Sequence, residues 1–272
     1  MRAMVVSLTS AVLRRAYIDE QFTKLELNYA FFDAINREEA LKVCENLGFN
    51  YSGDITLGEL GCLLSHIMIW QQMIANDDPY VMVFEDDVVL SKNIHSLLKS
   101  LDTIMEQCCL LKLETMGYPV KTSKPIITMH GYQVHQLQSD HMGTASYVIT
   151  LNGAKKIIDM LMNEPIKKPI DHYMFDDIAV QSATIFQVQP ALAIQEDVLN
   201  KEAPRILSDL ESERHERLYG SNPTPSVKQK LTLAQKTTRE LNRTLNQINP
   251  ATWPKRWKAE QLRKAKKIIA FE

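Results

Sequence analysis

Three adjacent carboxylates, Glu85, Asp86 and Asp87, follow directly on the apolar run Tyr80-Val81-Met82-Val83-Phe84. Acids packed that closely repel one another unless a divalent cation or hydrogen-bond donors offset the charge. A hard cation held by carboxylate oxygens commonly bridges to a phosphate, so the triplet points to a metal–diphosphate site. The plainer reading is a solvated strand end, or a cap for a helix starting near Ser91. A second group is Asp171-His172, just after the break at 165–169. A carboxylate followed by His suits general-base work or metal binding; the plainer reading makes Asp171 a helix N-cap. Ser65 and His66 form a third group that can face a pocket, against the alternative of a hydrogen-bonded core histidine. Arg14 and Arg15, behind a first strand, suit a phosphate or nucleotide edge or a solvated helix face.

The elements that must position these groups can be read from periodicity and punctuation. Residues 80–84 read as a buried strand, rich in Val, Tyr and Phe. In open α/β sheets ligands bind outside the carboxyl ends of strands, which is where the triplet would lie. Residues 4–8 and 29–32 read as further short strands, and 38–47 as an amphipathic helix stopped by Gly48. Thr56 and Glu59 form a capping-box pattern ahead of a long apolar helix through Trp70 and Met73. Gly58 and Gly61 would let that helix approach another backbone closely. One helix is expected over 91–105, a strand over 109–113 and a loop over 117–125. A hairpin is expected around His130-Gly131, then a polar stretch over 139–144 and a strand over 145–150. Asn152 is expected to cap the next helix, whose buried face carries Ala154, Ile157, Ile158 and Leu161. Residues 185–188 read as a last strand, and 191–194 lead into Gln195-Glu196-Asp197.

The chain of 272 residues can hold one large domain with an extension. Its 45% hydrophobic and 24% charged content is that of an ordinary globular protein, with formal net charge −2. The charge is unevenly spread. From Lys228 onward there are twelve Lys/Arg against three acids, leaving nineteen against thirty in the rest. Such asymmetry marks a tail for an anionic surface. The cysteines Cys44, Cys62, Cys108 and Cys109 form no zinc-type spacing and suit a reducing compartment. No signal-peptide pattern and no spanning run of about 18 apolar residues occurs, so a cytoplasmic location is expected, at a membrane surface.

Several of these landmarks, in this order, resemble glycosyltransferase family 25, which includes bacterial lipooligosaccharide galactosyltransferases. They are the first strand with Arg14-Arg15, Phe32-Asp33-Ala34, Leu57-Gly58-Glu59-Leu60-Gly61-Cys62 with Ser65-His66, and Glu85-Asp86-Asp87. Gly143-Thr144-Ala145-Ser146-Tyr147 with Gly153-Ala154-Lys155-Lys156, Pro169 through Phe175, and Pro190-Ala191 with Gln195 follow. The likeness covers roughly residues 1–200. It implies a GT-A-like, Rossmann-type α/β sandwich, expected over residues 1–225; a basic helical extension over 226–272 is expected from that segment's own charge and apolar spacing. The resemblance also implies inverting transfer of a hexose, galactose before glucose, from a UDP-sugar to a lipooligosaccharide acceptor, with Mn2+ or Mg2+ as cofactor. Glu85-Asp86-Asp87 stands where that fold carries Asp-x-Asp, so Asp87 is the expected metal ligand and Glu85 a second metal or ribose contact. Ser7, Arg14, Arg15, Ser65, His66, Glu85, Asp86, Gly143 and Thr144 are the expected donor-binding residues. Asp171 is the expected catalytic base, with Asp140 and Asp176 as rivals. A late metal ligand is expected from His172, Gln195 or Glu196.

The tail stands outside the resemblance. Leu231, Ala234, Thr238, Leu241, Leu245 and Ile248 make a narrow helical stripe that can pack on its own domain or on a second subunit as a homodimer. Trp253 and Trp257, spaced four apart among Lys255, Arg256 and Lys258, fit a helix lying on an anionic membrane. No nucleic-acid-binding motif accompanies it. Two other readings use the same residues: a binding protein with a decayed nucleotide site, and a metal-dependent nucleotidyltransferase or phosphohydrolase. The intact triplet and Ser65-His66 speak against decay.

Overall fold

The computed structural model describes residues 2–200 and 265–272. In chain order the elements are β1 (Arg2–Ser7), α1 (Val12–Lys24), β2 (Ala30–Asp33), α2 (Ala40–Asn46), α3 (Leu57–Ala75) and β3 (Tyr80–Glu85). Next come β4 (Val88–Leu90), α4 (Ile94–Leu98), α5 (Leu101–Met105), β5 (Leu110–Lys112), β6 (Glu114–Thr115), β7 (Pro119–Val120), β8 (Thr122–Met129) and β9 (Tyr132–Leu137). Last are β10 (Ser146–Thr150), α6 (Leu151–Asn163), α7 (Ile170–Phe175), α8 (Asp177–Ser182), β11 (Ile185–Gln189), β12 (Ala193–Gln195), α9 (Glu196–Leu199) and β13 (Lys267–Ile268).

Eight strands form one mixed sheet in the order β2-β1-β3-β10-β5-β11-β9-β8. β1 runs parallel to β2 and β3, β10 runs antiparallel between β3 and β5, and β11 is parallel to β5. The class is therefore the expected α/β one. A small sheet, β4-β12-β6, sits beyond the end of β3. β3 is apolar on both sides because both sheet faces are covered, as a central strand requires. Met4, Val81 and Val83 belong to the core shared with α3. Val5, Met82 and Phe84 belong to the opposite core with Ile18 and Phe22 of α1.

Among the described elements helix α3 is the longest, and it is apolar nearly all round, so it is buried rather than amphipathic. Its start is the expected capping box: Thr56 accepts from the Glu59 N–H while Glu59 accepts from the Thr56 N–H. Gly61 is required where the helix crosses the chain after β2. A Cβ there would lie 2.4 Å from the Ile35 carbonyl oxygen. Trp70 is fully buried in this core, and its truncation to alanine would cost about 3–5 kcal/mol.

Several expectations need correction. The single helix over 91–105 is two short helices, α4 and α5, because Ser100 leaves helical geometry at φ −119°. The loop over 117–125 contains β7 and the first half of β8. The cap of α6 is Thr150, whose hydroxyl accepts from the Gly153 N–H at 3.1 Å; Asn152 already lies in the first turn. Asp171 is not an N-cap either: Pro169 holds that position. The end of the basic extension is strand, not helix. β13 pairs antiparallel with β7, Ile269 is buried, and Thr115 Oγ1 donates to the Ile269 carbonyl at 2.8 Å. The helical stripe over 231–248 and the Trp253–Trp257 segment lie outside the described residues. Among the described residues no helix is long and apolar enough to cross a membrane, and all four cysteines are free thiols.

Candidate active site

The carboxyl ends of β1, β2 and β3 meet at one edge of the sheet, and the antiparallel β10 enters at that same edge. This brings Ser7, the turn after β2, the acid triplet and Gly143-Thr144 together from distant parts of the chain. Two cavities open there and share Cys62, Glu85 and Asp87 in their walls. The larger, about 320 Å³, runs between Ser7, Arg14, Ala34, Ile35, Asn36 and the acids. The smaller, about 110 Å³, is walled by Glu85, Asp87, Gly143, Thr144, Asp171 and Gln195. Together they have the size of a small-molecule site at the carboxyl edge of an α/β sheet.

The two arginines behave differently. Arg14 reaches the larger cavity and pairs with Asp86, Nε to Oδ2 at 3.3 Å. Arg15 instead ties β1 to β2: it donates to Asp33 Oδ1 at 2.6 Å and to the Ser7 carbonyl at 2.8 Å, and covers the Phe31 ring. Ser65 is also tied into the fold, accepting from the Ile35 N–H and donating to the Gly61 carbonyl. His66 is fully buried, with Nδ1 2.7 Å from the Tyr147 hydroxyl.

Each acid of the triplet has its own surroundings. Glu85 accepts from the Thr144 hydroxyl at 2.5 Å and from the Gln195 amide at 3.4 Å. Asp86 faces Arg14. The Asp87 carboxyl turns one oxygen inward, and its pKa is raised well above the usual carboxylate range, first by burial and then by Glu85, Asp86, Asp197 and Glu114. Its Oδ1 is shielded from solvent and unpartnered, as is Oδ1 of Asp197. Asp197 comes close because the Asp87 carbonyl accepts from the Glu196 N–H, starting α9 beside the triplet. Like charges gathered with orphaned oxygens form a donor set that suits a hard divalent cation. The residues present thus fit the expected Mn2+ or Mg2+.

Across the smaller cavity, Asp171 accepts from the Gly143 N–H at 3.2 Å and from the His172 N–H at 2.9 Å. The Gly143 carbonyl in turn accepts from Lys112 Nζ at 2.6 Å. Lys112 is fully buried, lies 3.3 Å from Glu114 Oε1, and sits over the Phe175 ring. Burial pushes Glu114 up to about 7, with Lys112 opposing and Glu85 adding to the rise. Burial likewise lowers the Lys112 pKa, while Glu114 counteracts it. The peptide of Gly143 is therefore held on both sides, by a buried cation and by the candidate base.

Of the expected late metal ligands, Gln195 reaches the smaller cavity, whereas Glu196 is buried and accepts from Asn200. His172 lies on another face of α7, lining a separate cavity of about 550 Å³ with Tyr173 and Asp176. The rival bases are engaged elsewhere: Asp140 pairs with Lys266, and Asp176 pairs with Lys168 and caps the next helix. Sequence reasoning missed Lys112, Glu114, Tyr147 and Asp197. A lysine inside an apolar strand and an acid next to Glu196 were the signals available.

Comparison with known proteins identifies the family. The model of glycosyltransferase family 25 (LPS biosynthesis protein) matches residues 1–174. The lipooligosaccharide biosynthesis protein lex-1 of Haemophilus influenzae is 28% identical, covering 98% of each chain. The lipooligosaccharide biosynthesis protein lic2B of the same species is 32% identical over 84% of this chain and 86% of its own. The lacto-N-neotetraose biosynthesis glycosyltransferase LgtB of Neisseria meningitidis is 31% identical over 72% of this chain and 76% of its own. A solved glycosyltransferase involved in glycosylating the PBCV-1 major capsid matches at 10% identity and TM-score 0.42, over 80% of this chain and 98% of that one. With the family model matching residues 1–174, well over half of the chain, and lic2B 32% identical over 84% of it, this chain belongs to glycosyltransferase family 25.

Proposed function

We propose that this protein transfers a hexose, galactose before glucose, from a UDP-sugar to a lipooligosaccharide acceptor with inversion at the anomeric carbon. The observation that carries the proposal is the shared small cavity. Asp87, with a buried unpartnered carboxylate oxygen, and Asp171 line its walls together with Gly143 and Thr144. Lipooligosaccharide as acceptor is supported by the names of the lex-1 and lic2B relatives.

Asp87 and Asp197 would hold the cation; Asp86, braced by Arg14, and Glu85, braced by Thr144, keep the surrounding carboxylates in place. When bound, the cation supplies Lewis-acid stabilisation of the leaving diphosphate, worth several kcal/mol. The nucleotide would occupy the larger cavity, with Arg14, Ser7 and the turn after β2 around it. The sugar would extend toward Gly143 and Thr144, which line the smaller cavity. Asp171 takes the proton from the acceptor hydroxyl as that oxygen attacks the anomeric carbon. The Gly143 N–H orients the carboxylate for this step. The basic tail would keep the enzyme on the inner membrane, near a lipid-borne acceptor.

The test is incubation of the protein with Mn2+ and a panel of UDP-hexoses, with and without lipooligosaccharide. Slow UDP release from one sugar, accelerated by acceptor, is expected. No binding of any UDP-hexose would overturn the proposal.

A further inference from the structure

Helix α3 sets Cys62 and His66 four residues apart, so their side chains share a face. Glu85, at the end of β3, arrives at the same point. Cys62 Sγ, a His66 ring nitrogen and a Glu85 carboxylate oxygen all lie within 4.8 Å of one another. His66 Nε2 is 3.4 Å from Glu85 Oε1, yet it makes no hydrogen bond, and the residue has 0% exposure. The other nitrogen, Nδ1, is fixed by the Tyr147 hydroxyl, which also accepts from Trp70 Nε1 at 3.0 Å. A histidine held through one nitrogen while the other faces a thiol and a carboxylate has the arrangement of a metal-ligating imidazole.

We propose that Cys62, His66 and Glu85 form a second cation site, for a thiophilic divalent ion of the Zn2+ class. Its fourth position opens to the cavities that Cys62 and Glu85 line. The donor set separates it from the all-oxygen cluster at Asp87. Thiolate and imidazole select zinc-like ions, whereas carboxylates suit Mg2+ and Mn2+. Binding deprotonates the Cys62 thiol, whose proton passes to solvent, and involves no change of oxidation state. Glu85 also accepts from Thr144 and Gln195, so occupancy draws on the carboxylate that links β3 to both walls of the smaller cavity. Inhibition of transfer by Zn2+ follows from this, and that consequence alone rests on the function proposed above.

The test is a titration of the chelator-stripped, full-length protein with CoCl2. A thiolate-to-cobalt charge-transfer band should appear, saturate at one equivalent, and be bleached by one equivalent of ZnCl2. Cys62→Ser should abolish the band, and Tyr147→Phe should weaken Co2+ binding by roughly 10–100-fold through loss of the ring's support. Asp87→Asn should leave the band intact, which separates this site from the oxygen cluster and from the transfer reaction. Absence of the band in the unaltered protein overturns the proposal without any variant. Its survival in Cys62→Ser, or its loss in Asp87→Asn, does so too.

Discussion

Replacing Gly143 by alanine tests how tightly the floor of the smaller cavity is built. Gly143 has φ +83°, a left-handed conformation that costs an L side chain about 1–2 kcal/mol. The added methyl would also lie 1.9 Å from Glu114 Oε1 and 2.8 Å from Met116 Sδ, where ordinary contacts begin at 3.4 Å. Met116 can swing aside, but Glu114 cannot easily. Its Oε2 accepts from the Ser146 N–H at 2.9 Å, and its Oε1 is 3.3 Å from buried Lys112. Overpacking of this kind costs about 1–3 kcal/mol, giving roughly 2–5 kcal/mol in all. At about 2–4 °C per kcal/mol, the melting temperature should fall by about 4–20 °C. If the loop shifts to escape the clash, it carries away the N–H that orients Asp171. Turnover should then fall by about 10²-fold even where stability is partly kept. Thermal denaturation and UDP-release kinetics on the same preparation read both effects. A variant with unaltered melting and unaltered turnover would refute the reasoning.

Asp171→Asn should bind UDP-sugar and Mn2+ as before while turnover drops by about 10²–10⁴-fold, seen by comparing calorimetric binding with kcat. Lys112→Met leaves the Glu114 carboxylate buried without its cation and should cost about 3–5 kcal/mol at pH 8. Because Glu114 is raised to about 7 even with Lys112 present and rises further without it, the gap between variant and parent opens above that pH and closes as pH falls through it. Urea unfolding at pH 8 and pH 5 should therefore show the gap between variant and parent narrowing at the lower pH. Changing Lys255, Arg256 and Lys258 together to Gln should weaken binding to anionic vesicles by about two orders of magnitude, at roughly 1 kcal/mol per charge. The difference should shrink in high salt, as vesicle co-sedimentation would report.

What was legible in the sequence were the features that depend on near neighbours. The continuous apolar run of β3 with its terminal acids, the capping box of α3 and the glycine at its close crossing all read directly. The helix over 91–105 misled because its apolar stripe continues through α4 and α5, while the break at Ser100 carries no Gly or Pro. Lys112, Glu114 and Tyr147 were not legible because their meaning depends on β10 inserting between β3 and β5. That pairing brings together residues tens of positions apart. Asp197 was overlooked for the same reason: the backbone bond from Glu196 to Asp87 creates its proximity, and no local pattern announces it. The adjacency of Asp171 and His172 in sequence does not carry over to space, since the short α7 turns them toward different cavities.

The central claim is that Asp87 anchors the cation that holds the donor diphosphate. Titration of Mn2+ into the protein with UDP present, followed by the loss of the free-ion electron paramagnetic signal, tests it most directly. One ion should bind to the parent protein, and Asp87→Asn should abolish that binding while the folded state is retained. Unchanged Mn2+ affinity in Asp87→Asn would contradict the account.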